Sequence, residues 1–168
     1  CIRDSLAILQ QLRTAGIQGL VTRVSPEKAE AILEAASAIQ AETQGETANP
    51  SHSETAVETG SDLDPTPSGS PLEIGYHPEA QLLTAPPVAA APLAPGSGQV
   101  VVVCAGTSDR RVALEAQLCL ACHGIACELV VDVGVAGLHR LLDRLDQLRQ
   151  ARVLIACAGM EGALPTVL

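Results

Sequence analysis

Tryptophan and phenylalanine are absent from the 168 residues, and tyrosine and methionine occur once each. A core must therefore be built almost wholly from Ala, Val, Leu and Ile. Base-stacking platforms need aromatic side chains, and Tyr76 is the one available. Basic residues are also scarce, with 10 Lys and Arg against 19 Asp and Glu for a net charge of -9. No Lys/Arg-rich run breaks this pattern, which excludes the clustered basic face that phosphate neutralisation requires. Long apolar runs are missing as well: none reaches the ~18 residues of a membrane helix, and the Ala-rich tract at 85–95 is interrupted by four prolines. Neither nucleic acid nor membrane is an expected partner. The length sets a ceiling of one compact domain, or a small domain plus a fragment.

No secretory segment accompanies the six cysteines. Cys104 and Cys157 lie inside strand-like apolar runs, where reduced cysteine packs as a small hydrophobe, so a cytoplasmic location is expected. The chain opens at Cys1 rather than Met. A lipoprotein would follow its cysteine with a polar tether, whereas a helical pattern begins here at once. Cys1 thus reads as a truncation point, and the chain is expected to be incomplete at both ends.

From Ile2 to Arg13, Ile2, Leu6, Ile8, Leu9 and Leu12 recur at helical spacing, and Gly16 supplies a stop. A short extended run follows over Ile17 to Val24. Ser25 and Pro26 then open a second helix, running through Lys28 to about Gln40 with Ile32 and Leu33 inward. This N-terminal helical unit, 1–40, is too small to stand alone and must dock on something. Residues 41–75 carry seven acidic side chains and no Lys or Arg, leaving the rest of the chain at only -2. That composition cannot offset its ordering entropy and reads as a disordered linker. Over 76–98 an ordered patch from Leu72 or Tyr76 to Leu83 precedes a Pro/Ala-rich loop from Thr84 to Gly98.

Strand and helix patterns alternate from Gln99 onward. Val100–Cys104 reads as a buried strand, Arg110–His123 as a helix with Val112, Ala116 and Leu120 inward, and Ile125–Val131 as a second strand. Leu138–Gln150 reads as a helix and Arg152–Cys157 as a third strand. The fold class expected is α/β: a three-layer parallel sheet, Rossmann-like or flavodoxin-like and incomplete, over 99–168, behind the small helical N-terminal unit.

Ligands of such sheets bind beyond the carboxyl ends of the strands. The loops there are Ala105-Gly106-Thr107-Ser108-Asp109, Asp132-Val133-Gly134-Val135-Ala136-Gly137-Leu138-His139, and Ala158-Gly159-Met160-Glu161-Gly162-Ala163-Leu164-Pro165-Thr166. All are rich in small residues, which let backbone N–H groups approach an anion. Thr107 and Ser108 suit a phosphate at the positive end of the following helix; a plain helix start with Asp109 as N-cap and no ligand fits the loop equally. The loop matches neither G-x-G-x-x-G nor a Walker sequence, so dinucleotide-reductase and NTPase readings lose support.

Glu161 is a lone carboxylate amid Gly, Met, Ala and Leu. Its ionised form is expected to be poorly solvated, which suits proton transfer; a first-turn carboxylate favoured by the helix dipole is the plainer reading. His139 is a ligand-facing base or a first-turn surface residue, and the residues around it favour the surface. Cys119-Leu-Ala-Cys122-His123 fits the haem-attachment spacing letter for letter, with Cys127 nearby. It falls inside the first crossover helix, and no second ligand pair is spaced for zinc. Cys119 and Cys122 are therefore read as helix-packing residues, and no metal site is assigned.

At these three loops, together with Thr22-Arg23-Val24-Ser25-Pro26-Glu27, the sequence resembles the pyridinium-3,5-biscarboxylic acid mononucleotide synthases of nickel-pincer nucleotide biosynthesis, the LarB family. Their catalytic half is similar to phosphoribosyl-aminoimidazole carboxylase. The resemblance covers about 17–40 and 72–168, leaving the acidic linker unmatched. It implies an enzyme that carboxylates the pyridinium ring of nicotinic acid adenine dinucleotide with CO2 or bicarbonate and hydrolyses the phosphoanhydride to release AMP. It implies no covalently bound cofactor, admits Mg2+, and implies a homo-oligomer. A cysteine thiolate adds to the ring in such enzymes and makes it electron-rich enough to attack CO2. By the same resemblance Gly106, Thr107, Ser108 and Asp109 bind phosphate and ribose. Asp132, Gly134, Val135, Ala136 and His139 line the pocket with Gly159, Met160, Gly162 and Ala163, and Glu161 transfers a proton or activates water.

The family's nucleophilic cysteine lies downstream of the segment matching Met160-Glu161-Gly162, past Leu168. The 168 residues as they stand are therefore expected to be inactive. An aminoimidazole ribonucleotide carboxylase or mutase of purine synthesis is the nearest enzyme alternative; a His-containing pattern stands there where this chain has Gly159-Met160-Glu161-Gly162. A non-catalytic nucleotide-binding regulator, of the kind labelled circadian phase modifiers, is the alternative from another class.

Overall fold

The computed structural model describes residues 2–45, 72–89, 100–159 and 161–168. Most of the acidic linker, most of the Pro/Ala-rich loop, and Met160 lie outside the described residues.

Helix α1, Ile2–Thr14, buries Leu6 and Leu9. It ends where Gly16 turns to φ +67°, so that the Ile17 N–H reaches back to the Leu12 carbonyl at 2.8 Å. A left-handed position at this place in the helix stop favours glycine over any residue with a Cβ. Ile8, one of the apolar residues at helical spacing, is exposed: it sits 100° from Leu9 around the helix, beside the buried stripe. Strand β1, Gly19–Val21, precedes α2, Pro26–Gly45. The Ser25 hydroxyl accepts from the Lys28 N–H at 3.4 Å, with Pro26 at the first helical position, where its missing N–H has no consequence. The helix continues about five residues past its expected end, so 41–45 belong to α2 rather than to the linker.

The second half of this unit comes from far along the chain. Strands β2, Gly75–His77, and β3, Leu82–Ala85, form an antiparallel sheet with β1 in the order β1-β3-β2. Thr84 and Ala85, read above as the start of a loop, are strand residues paired with Leu20 and Gly19. The expectation that 1–40 must dock is met by these strands. Leu83 and Ala85 join Leu6, Leu9, Val24, Ala29, Ile32 and Ala36 in one apolar cluster. Tyr76 Oη donates to the Val24 carbonyl at 2.9 Å, and Gln40 Nε2 to that of Leu72 at 2.8 Å. The N-terminal unit is thus mixed α/β rather than helical.

Thr84 is fully buried; its hydroxyl accepts from the Val88 N–H at 3.1 Å and lies 3.4 Å from His77 Nε2. Burial holds the His77 imidazole below its ordinary value of 6.5. Because the folded value is the lower one, the unfolded chain binds more protons, and stability present above pH 6.5 is lost as pH falls through the depressed folded value. A urea midpoint that falls between pH 7.5 and pH 5, with the difference reduced in His77→Gln, is the expected result; equal loss in both proteins would remove His77 as the cause.

The remaining residues form a parallel sheet of β4, Val100–Cys104; β5, Cys127–Val130; and β6, Val153–Cys157, in the order β5-β4-β6. Helix α3, Arg110–Cys122, crosses from β4 to β5; α4, Leu138–Leu142, and α5, Leu145–Arg149, lead to β6. Central β4 is covered on both faces, as its unbroken Val run requires. Val101 and Val103 pack with Leu141, Leu148 and Leu164; Val102 and Cys104 pack with Ala113, Cys127 and Cys157. Each fully buried Val contributes roughly 1.5–3 kcal/mol.

Two expectations for the helices need correction. Val112 is exposed, because the face of α3 toward the sheet runs through Ala113, Ala116 and Leu120, and Val112 stands beside it. A second face of α3 meets the N-terminal unit, where Leu118 packs with Ala80 and Leu82. The helix expected over 138–150 is two short helices with a turn at Asp143–Arg144, where the Arg144 N–H bonds the Leu141 carbonyl at 3.0 Å. No Gly or Pro marks that break; Leu141 and Leu148 reach one cluster from both sides of it. Among the described residues, no helix is long and apolar enough to cross a membrane.

Candidate functional site

In the parallel register Val103 stands opposite Val130 and Cys104 opposite Cys157, so the loops after all three strands leave from one edge of the sheet. The first loop is central and bonds to both others. Its Ala105 carbonyl accepts from the Gly134 N–H at 2.9 Å, and its Ala105 N–H donates to the Cys157 carbonyl at 3.1 Å. The Cys104 carbonyl accepts from the Val133 N–H at 3.2 Å.

Asp109 closes the arrangement. Residues Thr107–Asp109 form a single 3-10 turn ahead of α3. Asp109 stands at the N-cap position of α3, but its side chain makes no cap bond to that helix. It instead reaches back, Oδ2 accepting from the Gly106 N–H at 3.1 Å, and across, Oδ1 accepting from the Gly159 N–H at 3.0 Å. One carboxylate therefore ties the first loop to the third. The reason is geometric: as the third residue of the turn, Asp109 is placed like the carboxylate of a capping box, whose oxygen returns to the opening N–H. Thr107 and Ser108 are exposed on that turn.

The second loop is held by a different device. Asp132 takes a left-handed backbone, φ +60°, a conformation that Asp tolerates better than most residues. Arg140 on α4 folds over the loop, Nε donating to the Asp132 carbonyl at 2.8 Å and a terminal guanidinium nitrogen lying 3.2 Å from Asp132 Oδ1. Gly134 is buried, and a Cβ there would stand 2.7 Å from the Ala105 carbonyl oxygen. Since that obstacle is backbone, only displacement of one loop from the other relieves it. Gly134→Ala is expected to lower stability by about 1–2 kcal/mol, within the range for overpacking, with faster amide exchange at Gly134; an unchanged urea midpoint would show that the loops are not closely packed. Val135, Ala136 and His139 are exposed around this loop, His139 in the first turn of α4, as the surface reading has it.

The third loop runs from the half-buried Ala158 and exposed Gly159 past Met160 to Glu161, with Gly162 and Ala163 half-buried. Glu161 is exposed, so the poorly solvated carboxylate expected from its apolar neighbours in sequence is not what the fold makes: Leu164, its largest described neighbour in that loop, turns into the core instead. Glu161 also has a left-handed backbone, φ +53°. Two of the four non-glycine residues in that conformation among the described residues, Asp132 and Glu161, thus stand in these loops, where each costs of order 1–3 kcal/mol. Strain of this kind concentrates at functional sites.

Cys104 and Cys157 lie directly beneath the edge, both buried. Burial pushes both thiols up, and for Cys157 the neighbouring Cys104 and Asp109 add to the rise. Neither is placed to act as a thiolate. Among the described residues no group of three or more His, Cys, Asp or Glu side chains is placed to hold a metal ion. Asp109 and Asp132 are already engaged with N–H and guanidinium donors, so the edge residues do not form a set for Mg2+, and no step is assigned to it.

Two partners of the site escaped the sequence reading. Arg140 carries no role in the sequence reading, because nothing in the spacing shows a guanidinium turning back eight residues. The other is the turn between β2 and β3: Glu79 pairs with Arg110 through both carboxylate oxygens, and the Gln81 Oε1 accepts from Arg111 at 2.8 Å. The N-terminal unit thereby holds the first turn of α3, next to the first loop.

No family model matches the chain. A stretch of 73 residues, 42% of this chain, is 45% identical to the uncharacterized protein MJ0165 of Methanocaldococcus jannaschii, and that stretch spans 28% of the archaeal protein's length.

Proposed function

We propose that this chain carries the nucleotide-binding part of an enzyme that carboxylates the pyridinium ring of nicotinic acid adenine dinucleotide and releases AMP. The observation that supports the reading is the joining of three small-residue loops at one edge of the parallel sheet through Asp109, Gly134 and Gly159. The order β5-β4-β6 is also that of the first strands of a flavodoxin-like sheet, in which ligands bind at this edge; we read the parallel unit as part of such a three-layer fold.

In this reading the exposed Thr107 and Ser108 bind a phosphate at the start of α3, and Asp109 accepts hydroxyl donors of the ribose while keeping the loops joined. Val135, Ala136 and His139 flank the ligand on one side, Gly159, Gly162 and Ala163 on the other. Glu161, free to meet a ligand because it is exposed, moves the proton. The ring-activating thiolate is not supplied by Cys104 or Cys157, which are buried. The location is cytoplasmic and the protein a homo-oligomer. Calorimetry of this chain with nicotinic acid adenine dinucleotide, AMP and aminoimidazole ribonucleotide tests the binding, and assays for AMP release and for aminoimidazole ribonucleotide turnover, run on a polypeptide that also holds the family's cysteine, test the chemistry. Binding of the first two with AMP release supports it, whereas turnover of aminoimidazole ribonucleotide would replace it with the purine carboxylase.

The buried state of the thiols at the sheet edge favours one second reading, a nucleotide-binding regulator without chemistry. Nucleotide binding with no carboxylated product, in the polypeptide that also holds the family's cysteine, is its signature.

A further inference from the structure

Cys119 and Cys122 take no part in the sheet-edge site. Both are half-buried free thiols in the last turn of α3, three residues apart and so on one face. A helix rising 1.5 Å per residue on a radius near 2.3 Å places such Cα atoms about 5 Å apart, inside the ~4.4–6.8 Å that a disulfide bridges. The Cβ atoms of an ordinary turn stand roughly 5–6 Å apart, wider than the ~3.8 Å a disulfide takes. Cys119–Cys122 is α-helical, and shorter turns begin just past it, where Gly124 takes a φ of +68° and ends the helix. The His123 N–H bonds the Leu120 carbonyl at 3.0 Å and the Gly124 N–H that of Ala121 at 2.9 Å. These three-residue bonds are of the 3-10 kind, in which side chains at i and i+3 eclipse. Closure would require that geometry to extend back by one residue, which would bring the two side chains toward each other. The other described cysteines are buried in strands: Cys104 and Cys157 in the sheet core, Cys127 at the start of β5.

We propose that Cys119 and Cys122 form a redox-sensitive dithiol, closed to an intrahelical disulfide by a small disulfide of the glutathione class. The Cys122 thiolate attacks one sulfur of oxidised glutathione, breaking its S–S bond and releasing one glutathione thiol. The Cys119 thiolate then attacks Sγ of Cys122 in the mixed disulfide and releases the second. The two protein thiols are oxidised, the glutathione disulfide is reduced, and the two thiol protons end on the two glutathione molecules. Cys119 also packs against the cluster of Ala80, Leu82 and Leu118 that joins α3 to the antiparallel sheet. Closure draws its sulfur out of that contact and loosens the docking of the N-terminal unit. Burial pushes both thiols up, so the exchange quickens about tenfold per pH unit through the neutral range, with the thiolate fraction.

The test treats the folded chain with oxidised glutathione at pH 8.5, blocks remaining thiols with an alkylating agent, and maps linkages by mass spectrometry. The expected product lacks two hydrogens and links Cys119 to Cys122. The link persists in Cys127→Ser, and Cys119→Ser instead retains a glutathione adduct on Cys122. Separate adducts on both cysteines, or a link between another pair, would overturn the dithiol. Amide exchange over 78–85 is expected to quicken in the oxidised chain and return on reduction; a linked protein with unchanged exchange there would overturn its role as a switch.

Discussion

Glu161→Gln is expected to lower AMP release by about 10²–10⁴-fold in the polypeptide that turns over, the range of a positioned proton-transfer group. The fold should not notice the change. Glu161 is exposed, and Gln tolerates the same left-handed backbone as poorly as Glu does. A urea midpoint equal to that of the parent, alongside the lost rate, would separate chemistry from stability. An unchanged rate would end the role given to Glu161 and leave its strained backbone, φ +53°, as a feature of the turn alone.

Asp109→Ala is expected to reduce nucleotide affinity more than tenfold and to cost roughly 2–4 kcal/mol of stability. The side chain accepts two charge-assisted hydrogen bonds, from Gly106 and Gly159. Such bonds contribute about 1.5–3 kcal/mol each, taken toward the lower end because Asp109 is only half-buried. Alanine leaves two N–H groups without their acceptor and the third loop without its tie to the first. Asp109→Asn distinguishes the two parts of the effect. Its single carbonyl oxygen can serve one N–H well, so an intermediate loss of stability is expected, with amide exchange at Gly159 or Gly106 rising but not both equally. Full stability and full affinity in Asp109→Ala would mean that the loops are held by their backbone bonds alone.

The stops and starts of the N-terminal helices were legible because they are local. Gly16 supplies the left-handed turn after α1, and Ser25 and Pro26 open α2, each through bonds to residues at most five positions away. The alternation of strand and helix after Val100 was legible for the same reason, as was the cluster of small-residue loops it places at one edge. The pairing of β1 with β3 was not. Sixty-odd residues, among them the second helix and the acidic stretch, separate Leu20 from Thr84, and nothing in the extended run at 17–24 names its neighbour. The facing direction slipped by one residue at Val112, since an apolar side chain beside a stripe is as hydrophobic as one within it. Glu161 was misjudged in a related way, its apolar neighbours in sequence being taken for neighbours in space.

An aliphatic core, a parallel unit after an acidic stretch, and three glycine-bearing loops at one strand edge could all be read from the residues alone. These follow from composition and from periods of two and 3.6 residues, which the backbone imposes over a few positions. That Asp109 reaches Gly159, fifty residues away, that Arg140 folds back on Asp132, and that Gly134 lies against Ala105 is visible in the folded chain alone. Those contacts depend on which strands lie side by side and in which register. That choice is made by the burial and hydrogen bonding of the whole chain, to which no short stretch of residues carries the answer.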